Sequence, residues 1–366
     1  MKRLLPLICL LVGFAIMQQS GFSQDPTFKK KSMKEWASKA RDPDPYVRIR
    51  VTYALYTVVS EVGPKNAKEL LPTLKESLMD EEDRVRRYAA WTLGKFGAVA
   101  REAVPDLIKA LDDSDPLVRG FACEALGLMG AEAKTAVPAI TKLLDDPQWV
   151  TRRLAALSLG EMGAAAKPSV EALQKALADP NDEVRRAGLM AIGKLGGIAQ
   201  AALPTVTLAI KDTDPQVRRV ALQVLMVFKI DGPKVKELIP IITQACDDED
   251  AFVADAAGDT LKIFATAALA SILPNLESPK PGSRYFTAMA IGYLGPKGKT
   301  AVAGLVKLLK DPEDKIKARA AASLGAIGPD AAKALPPLRE AAAGTNPQLR
   351  SRALEAIKLI ETKPGK

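Results

Sequence analysis

The side chains best placed for chemistry are arginines set one helical turn ahead of an apolar residue. Arg87 precedes Trp91, Arg153 precedes Leu157 and Arg186 precedes Met190, and Arg219 continues the series. Such pairs offer a cation and an apolar or aromatic surface together. Arg, Trp and Tyr are also the residue types enriched in interface hot spots. The chemistry this suits is recognition of an acidic, partly apolar protein. The candidate partner-binding residues are Tyr53, Arg87, Trp91, Arg153, Leu157, Arg186, Met190 and Arg219.

Catalysis has less to work with. None of the 366 residues is histidine, which removes His-assisted serine or cysteine catalysis, His metal ligands and the usual proton shuttle near neutral pH. No Gly-rich phosphate loop, Cys-x-x-Cys pair or nucleophile elbow occurs. Asp247-Asp248-Glu249-Asp250 supplies carboxylates of the kind calcium takes. It lacks the spaced Asp-x-Asp-x-Asp-Gly loop and its distal Glu, so neither a metal nor a cofactor is expected. The formal charge of +9 falls to +7 without Lys2 and Arg3. That is mild for so long a chain, and nucleic acid is not the expected partner.

The start of the chain has the layout of an export signal. Met1-Lys2-Arg3 is basic, Leu4 to Met17 is a nearly unbroken apolar run of 14 residues, and Gly21 and Ser23 lie three and one before Gln24. The run is short for a membrane span, which needs about 20 apolar residues; an uncleaved anchor is the rival reading. The expected organisation is a signal peptide over 1–23, one folded region over 24–362 and a short basic tail over 363–366. The mature protein would be periplasmic or extracellular, with no membrane span. Cys123 and Cys246 lie in separate segments and are expected to be buried free thiols.

The elements that carry these residues repeat. Asp115-Pro-Leu-Val118-Arg119 has relatives along the whole chain, and the residues in its valine slot are 47, 85, 118, 151, 184, 217, 253, 283, 316 and 349. The steps from 118 to 217 are 33 residues each, and a step of 36 before Val253 is followed by one of 30. Ten units account for the length that would otherwise suggest two globular domains. Hydrophobic residues make up 48% and aromatics only 5%, so the apolar mass is aliphatic and alanine, which suits packed helices.

Each unit reads as two helices. Apolar residues fall four, eight and eleven after the slot, as in Ala122, Leu126 and Met129, which is one helical stripe. Asp-Pro before the slot is a start signal, with Asp capping orphan N–H groups and Pro in the first turn. Gly97, Gly130, Gly163, Gly196, Gly295 and Gly328 end successive copies, where a left-handed backbone is needed. The second helix carries Ala-Val-Pro-x-Leu, as at Ala103 to Leu107.

Asp-Pro-x-Val-Arg-x-x-Ala-x-x-x-Leu-Gly followed by Ala-Val-Pro-x-Leu resembles a HEAT repeat of the short kind named after phycobilisome-lyase proteins. The resemblance covers about residues 30–362. It implies an all-α fold, an α-solenoid of about ten two-helix repeats with a right-handed superhelix, in which the Val-Arg helix lines the concave side. It implies a non-enzymatic protein-interaction scaffold; the alternatives are an accessory or regulatory subunit of an enzyme and a lyase-type enzyme. The hydroxylase type needs His-Glu metal motifs and is excluded by composition. A bilin lyase or DNA enzyme fits poorly with an export signal.

Two charge columns run at the same period. Arginines follow the slot by one (Arg48, Arg86, Arg119, Arg152, Arg185, Arg218, Arg284, Arg350), and aspartates precede it by five (Asp42, Asp80, Asp113, Asp146, Asp179, Asp212, Asp248, Asp311). This arrangement predicts inter-repeat ion pairs. The face opposite the apolar stripe holds positions two, six and nine after the slot. The first two carry the candidate residues. At about 8–10 Å between helices, Arg87 to Arg219 would span about 40 Å. The third is a glycine column (Gly94, Gly127, Gly160, Gly193, Gly292, Gly325), which either keeps a groove open or lets backbones approach. The seventh unit is irregular, with three extra residues, Ala254 in the arginine slot, and Asp255 and Asp259 on the exposed face.

Overall fold

The computed structural model describes residues 32–230 and 232–362. The expected signal peptide over 1–23 and the tail over 363–366 lie outside the described residues. Two compact units are distinguished, one ending at Met129 and one beginning at Gly130. The first holds α1 (Met33–Lys39), α2 (Pro45–Val62), α3 (Leu71–Ser77), α4 (Asp83–Phe96), α5 (Val104–Ala110) and α6 (Pro116–Met129). The second holds α7 (Val137–Lys142), α8 (Trp149–Glu161), α9 (Val170–Ala176), α10 (Asp182–Leu195), α11 (Leu203–Ala209), α12 (Pro215–Leu225) and α13 (Gly232–Ala245). It continues with α14 (Ala251–Ile272), α15 (Pro281–Tyr293), α16 (Val302–Leu308), α17 (Asp314–Ile327), α18 (Leu335–Ala343) and α19 (Pro347–Glu361). No strand occurs among the described residues. The fold class is an all-α solenoid of two-helix repeats.

Long helices that carry the valine slot stack on one another. In the first unit α2 packs on α4 and α4 on α6; in the second the row runs α8, α10, α12, α14, α15, α17, α19. Each short helix packs behind a long one, as α5 does on α6 and α9 on α10. The core lies between these layers. Val85, Val118, Val184, Val217, Val253 and Ile316 are 0% exposed. So are Leu93, Leu126, Leu159, Ile192 and Leu324, eight residues after their slots. Each such side chain contributes about 1.5–3 kcal/mol relative to exposure.

The start and stop signals act as their chemistry requires. Asp115 accepts the N–H groups of Leu117 and Val118 at 3.0 and 2.9 Å, and Asp214 accepts that of Val217 at 2.9 Å. Gly97, Gly130, Gly163, Gly196, Gly295 and Gly328 have φ between +51° and +73°. A Cβ is disfavoured there, so the chain turns at these points from long helix to 3-10 segment and short helix.

The glycine column is a close-packing device. A Cβ on Gly160 would stand 2.8 Å from Ala191 Cα, and one on Gly325 equally close to Ala356 Cα. Neighbouring long helices therefore touch backbone to backbone, and the groove alternative does not apply at these positions.

The charge columns form the expected ladder within each unit. Arg48 pairs with Asp80 and Arg86 with Asp113 in the first unit. Arg152, Arg185, Arg218 and Arg284 pair with Asp179, Asp212, Asp248 and Asp311 in the second. The geometry is bidentate: Arg152 Nε and Nη2 reach Asp179 Oδ2 and Oδ1 at 2.6 and 2.9 Å, while Nη1 donates to the Asp146 carbonyl at 2.9 Å. Asp179 Oδ1 also accepts the Asn181 N–H at 2.9 Å. One carboxylate thus closes its own turn and ties the preceding repeat to it.

The irregular region is built across two repeats, which corrects the placement of the extra residues in the seventh unit. They fall in the sixth, between α12 and α13. The seventh is short instead. It has Ala265 where most units have the turn glycine, so α14 continues and bends only at Ala268 (φ −138°, ψ 35°). The 3-10 segment Leu273–Glu277 then replaces the short helix. Ala254 and Ser278 occupy the two ladder positions at this junction, so both partners of that rung are missing together. Asp247 bridges it by accepting the Ser283 N–H at 3.1 Å and the Ser283 hydroxyl.

Cys123 and Cys246 are both buried, and burial pushes the Cys246 thiol well above its usual range. Residues 182–209 and 251–277 reach the length and mean hydropathy of a membrane span. Half of the most apolar window in each is buried within the protein, and the first is broken at Gly196.

Candidate partner-binding surface

The second unit contains three Arg-Arg pairs in which two chain neighbours meet different fates. Arg152, Arg185 and Arg218 are held in the ladder. Arg153 and Arg219, next in the chain, make no ion pair among the described residues, and their Nε atoms are buried without a hydrogen-bond partner. Among the described residues Arg186 pairs only with Glu183 on its own helix. The cause is the helical step. A turn of about 100° per residue points the first arginine of each pair at the next repeat's aspartate and carries the second past it. Arg153, Arg186 and Arg219 therefore sit on α8, α10 and α12, with Leu157 and Met190 half-buried one turn after the first two.

Arg153 departs from the exposure expected of it. It is only 7% exposed. A long arginine stem covers apolar surface while its head reaches outward. Its Nε is buried with no hydrogen-bond partner.

In the first unit the structure joins Tyr53 and Trp91 in a larger aromatic cluster. Tyr56 stacks on Trp91 with ring centroids 3.8 Å apart and planes 16° from parallel. Tyr53 meets Tyr88 edge-on at 5.5 Å, and Phe121 lies 6.0 Å from Trp91. Burial pushes the Tyr53 and Tyr88 phenols above their usual range, so they stay neutral donors. Arg87 is not the free cation the spacing suggests. It is held by Asp83 on its own helix and by Asp115 of the next repeat, with Nε 2.8 Å from Asp115 Oδ1. Lys95 takes the place over the aromatic surface, its Nζ 4.9 Å from the Tyr56 ring centroid. Sequence reasoning missed Lys95, although it follows Trp91 by one helical turn.

The acidic run before α14 is occupied by protein donors. Asp247 holds Ser283, Asp248 pairs with Arg218, and Asp250 caps α14 through the Phe252 and Val253 N–H groups. A cleft of about 820 Å³ beside it is lined by Lys211, Gln244, Asp247, Asn275, Ser278 and Lys280, among others. Its Thr243 hydroxyl already accepts from Asn275 at 3.0 Å.

These features define the class: a helical-repeat solenoid whose long helices are tied by an Arg-Asp ladder. HEAT repeats match at residues 33–109, 104–193, 137–226, 170–262 and 266–358, and the chain belongs to the HEAT-repeat family. No curated protein matches it. Among solved structures, an engineered protein is 19% identical over 91% of this chain and 99% of its own, with a TM-score of 0.53. Kap121p is 15% identical over 90% of this chain and 41% of its own, with a TM-score of 0.67. Kap121p bound to Nup53p gives 15% identity, 95% and 43% coverage, and a TM-score of 0.70. The chain spans about two fifths of the length of the Kap121p chains it resembles. The likeness is one of fold.

Proposed function

We propose that this protein is a non-enzymatic scaffold that binds an acidic, partly apolar protein through Arg153, Leu157, Arg186, Met190 and Arg219, with Tyr53 and Trp91 offering an aromatic surface in the first unit. The observation that carries this reading is the unpaired state of Arg153 and Arg219 beside neighbours that are fully paired. A cation without a carboxylate is open to one from outside, and a partner's carboxylate would recover a charge-assisted hydrogen bond. Solenoids suit this role because each repeat contacts only its neighbours and leaves an extended surface. Kap121p, of similar fold, is seen bound to Nup53p, which supports a protein partner here. The 33-residue period and the Asp-Pro-x-Val-Arg start support the phycobilisome-lyase kind of HEAT repeat. The basic start and apolar run over Met1 to Met17 support export to the periplasm or beyond.

The test compares the wild-type protein with Arg153→Glu/Arg186→Glu as bait for proteins of the exported fraction, after circular dichroism shows both folded. The reading expects partners captured by the wild type and lost from the variant, and identical capture by both would overturn it. A salt titration against nucleic acid should show only weak, non-specific binding. Fractionation and N-terminal sequencing of the mature chain check export.

A further inference from the structure

The solvent face of the long helices changes character along the second unit. On α8, α10 and α12 the position two after the slot carries Arg153, which is buried, and Arg186 and Arg219, which are half-buried. On α14 the equivalent face carries Asp255 and Asp259, both exposed, and Asp255 makes no ion pair among the described residues. A second change occurs ten residues after the slot. On α8 and α10 that position is Glu161 and Lys194, which pair with each other. On α14, α15, α17 and α19 it is Ile263, Tyr293, Ala326 and Leu359, all exposed; Ile263 is 47% and Tyr293 67% exposed.

The acidic edge and the apolar row adjoin. Lys262 binds Asp259 at 3.1 Å and places its Nζ 5.4 Å from the Tyr293 ring centroid. Tyr285, two turns before Tyr293, is fixed by an Arg319 Nη2 hydrogen bond to its hydroxyl at 2.8 Å and by an edge-on contact with Phe286. Met289 lies half-buried between the two tyrosines on α15. An exposed apolar row across four successive helices is the kind of patch that marks an interaction surface. At about 8–10 Å per helix it runs about 25–30 Å, the length of an amphipathic helix of about 18 residues.

We propose that this face binds a basic amphipathic segment of another protein. Its apolar side chains lie on Ile263, Tyr293 and Leu359, and its lysines or arginines reach Asp255 and, beside the Lys262 pair, Asp259. Charge selects the occupant, because an acidic segment would be repelled where Asp255 stands without a cation. The site uses other helices and the opposite sign from the Arg153–Arg219 surface, so the two readings fail separately.

The experiment uses the full chain and a fluorescein-labelled synthetic peptide of about 18 residues, with leucines on one helical face and lysines beside them. Anisotropy should show binding to the wild type, and equal binding to Arg153→Glu/Arg186→Glu. Asp255→Lys/Asp259→Lys should weaken it by about tenfold or more, since two attractions become repulsions. Ile263→Ser/Tyr293→Ser should weaken it similarly. These positions are exposed, and circular dichroism checks that each variant is folded. The proposal is overturned if the wild type fails to bind, if the aspartate variant binds as well as the wild type, or if serine in place of leucine in the peptide leaves affinity unchanged.

Discussion

Asp247 accepts the backbone N–H of Ser283 at a junction where both members of a ladder rung, Ala254 and Ser278, are lost. The same carboxylate takes the Ser283 hydroxyl, and Gly282 beside it packs against the Cys246 carbonyl, where a Cβ would clash. One aspartate therefore does at this junction what an Arg-Asp pair does elsewhere. Asp247→Ala should cost about 1–3 kcal/mol by leaving these donors unsatisfied. Urea denaturation would measure it, and a loss no greater than that of an exposed carboxylate such as Glu249 would contradict the assignment.

Arg152 and Arg153 should respond oppositely to mutation. Arg152→Ala strands the Asp179 carboxylate, 8% exposed, and should destabilise by about 2–4 kcal/mol. Arg153→Met removes a mostly buried charge that has no partner and keeps an apolar stem. Stability should hold or rise by up to about 1 kcal/mol. Thermal melts of the two variants test this pair, and equal losses would show that Arg153 is as firmly held as its neighbour.

Acid should unfold the protein in one low range of pH. Burial pushes the Asp113, Asp179, Asp212 and Asp311 carboxyls up, but their arginines and backbone N–H donors more than offset this, and all four lie below the usual aspartate value. A carboxyl with a lowered folded-state pKa stabilises the fold fully above its unfolded value of about 3.9 and loses that contribution as pH falls through the folded value. With no histidine in the chain, melting temperature should be nearly flat from about pH 5 to 8 and drop below about pH 4. A marked step near pH 6–7 would contradict this account.

Gly160→Ala and Gly325→Ala should destabilise although alanine is the better helix former by about 1 kcal/mol. Overpacking against the Cα atoms of Ala191 and Ala356 costs about 1–3 kcal/mol. Gly94→Ala should be milder, because its Cβ would stand 3.3 Å from Ala125 Cα rather than 2.8 Å. Chemical denaturation of the three variants checks the order.

Much of the architecture is legible in the sequence because each repeat satisfies itself locally. The valine slot, the Asp cap and the turn glycine act within one unit, so Val118, Asp115 and Gly130 can be read without their neighbours. The ladder is also legible, because Arg152 and Asp179 recur at one period. The three extra residues lie one unit earlier than the slots suggest, because a step of 36 residues locates an insertion only between two slots. It does not show whether a loop lengthens or a helix runs on.

The candidate surface depended on tertiary structure. Arg152 and Arg153 are the same residue type side by side, and only the position of the next repeat's aspartate decides which one is consumed. Arg87 belongs to the second column, yet Asp115 reaches it and leaves Lys95 over the aromatic rings. Whether Gly160 opened a groove or closed a contact turned on where α10 lies. Side-chain type and spacing determined the helices and their apolar stripe, since those follow from the 3.6-residue period of a single chain segment. Which charges remained unpaired was decided between repeats, by distances and directions that no single repeat contains.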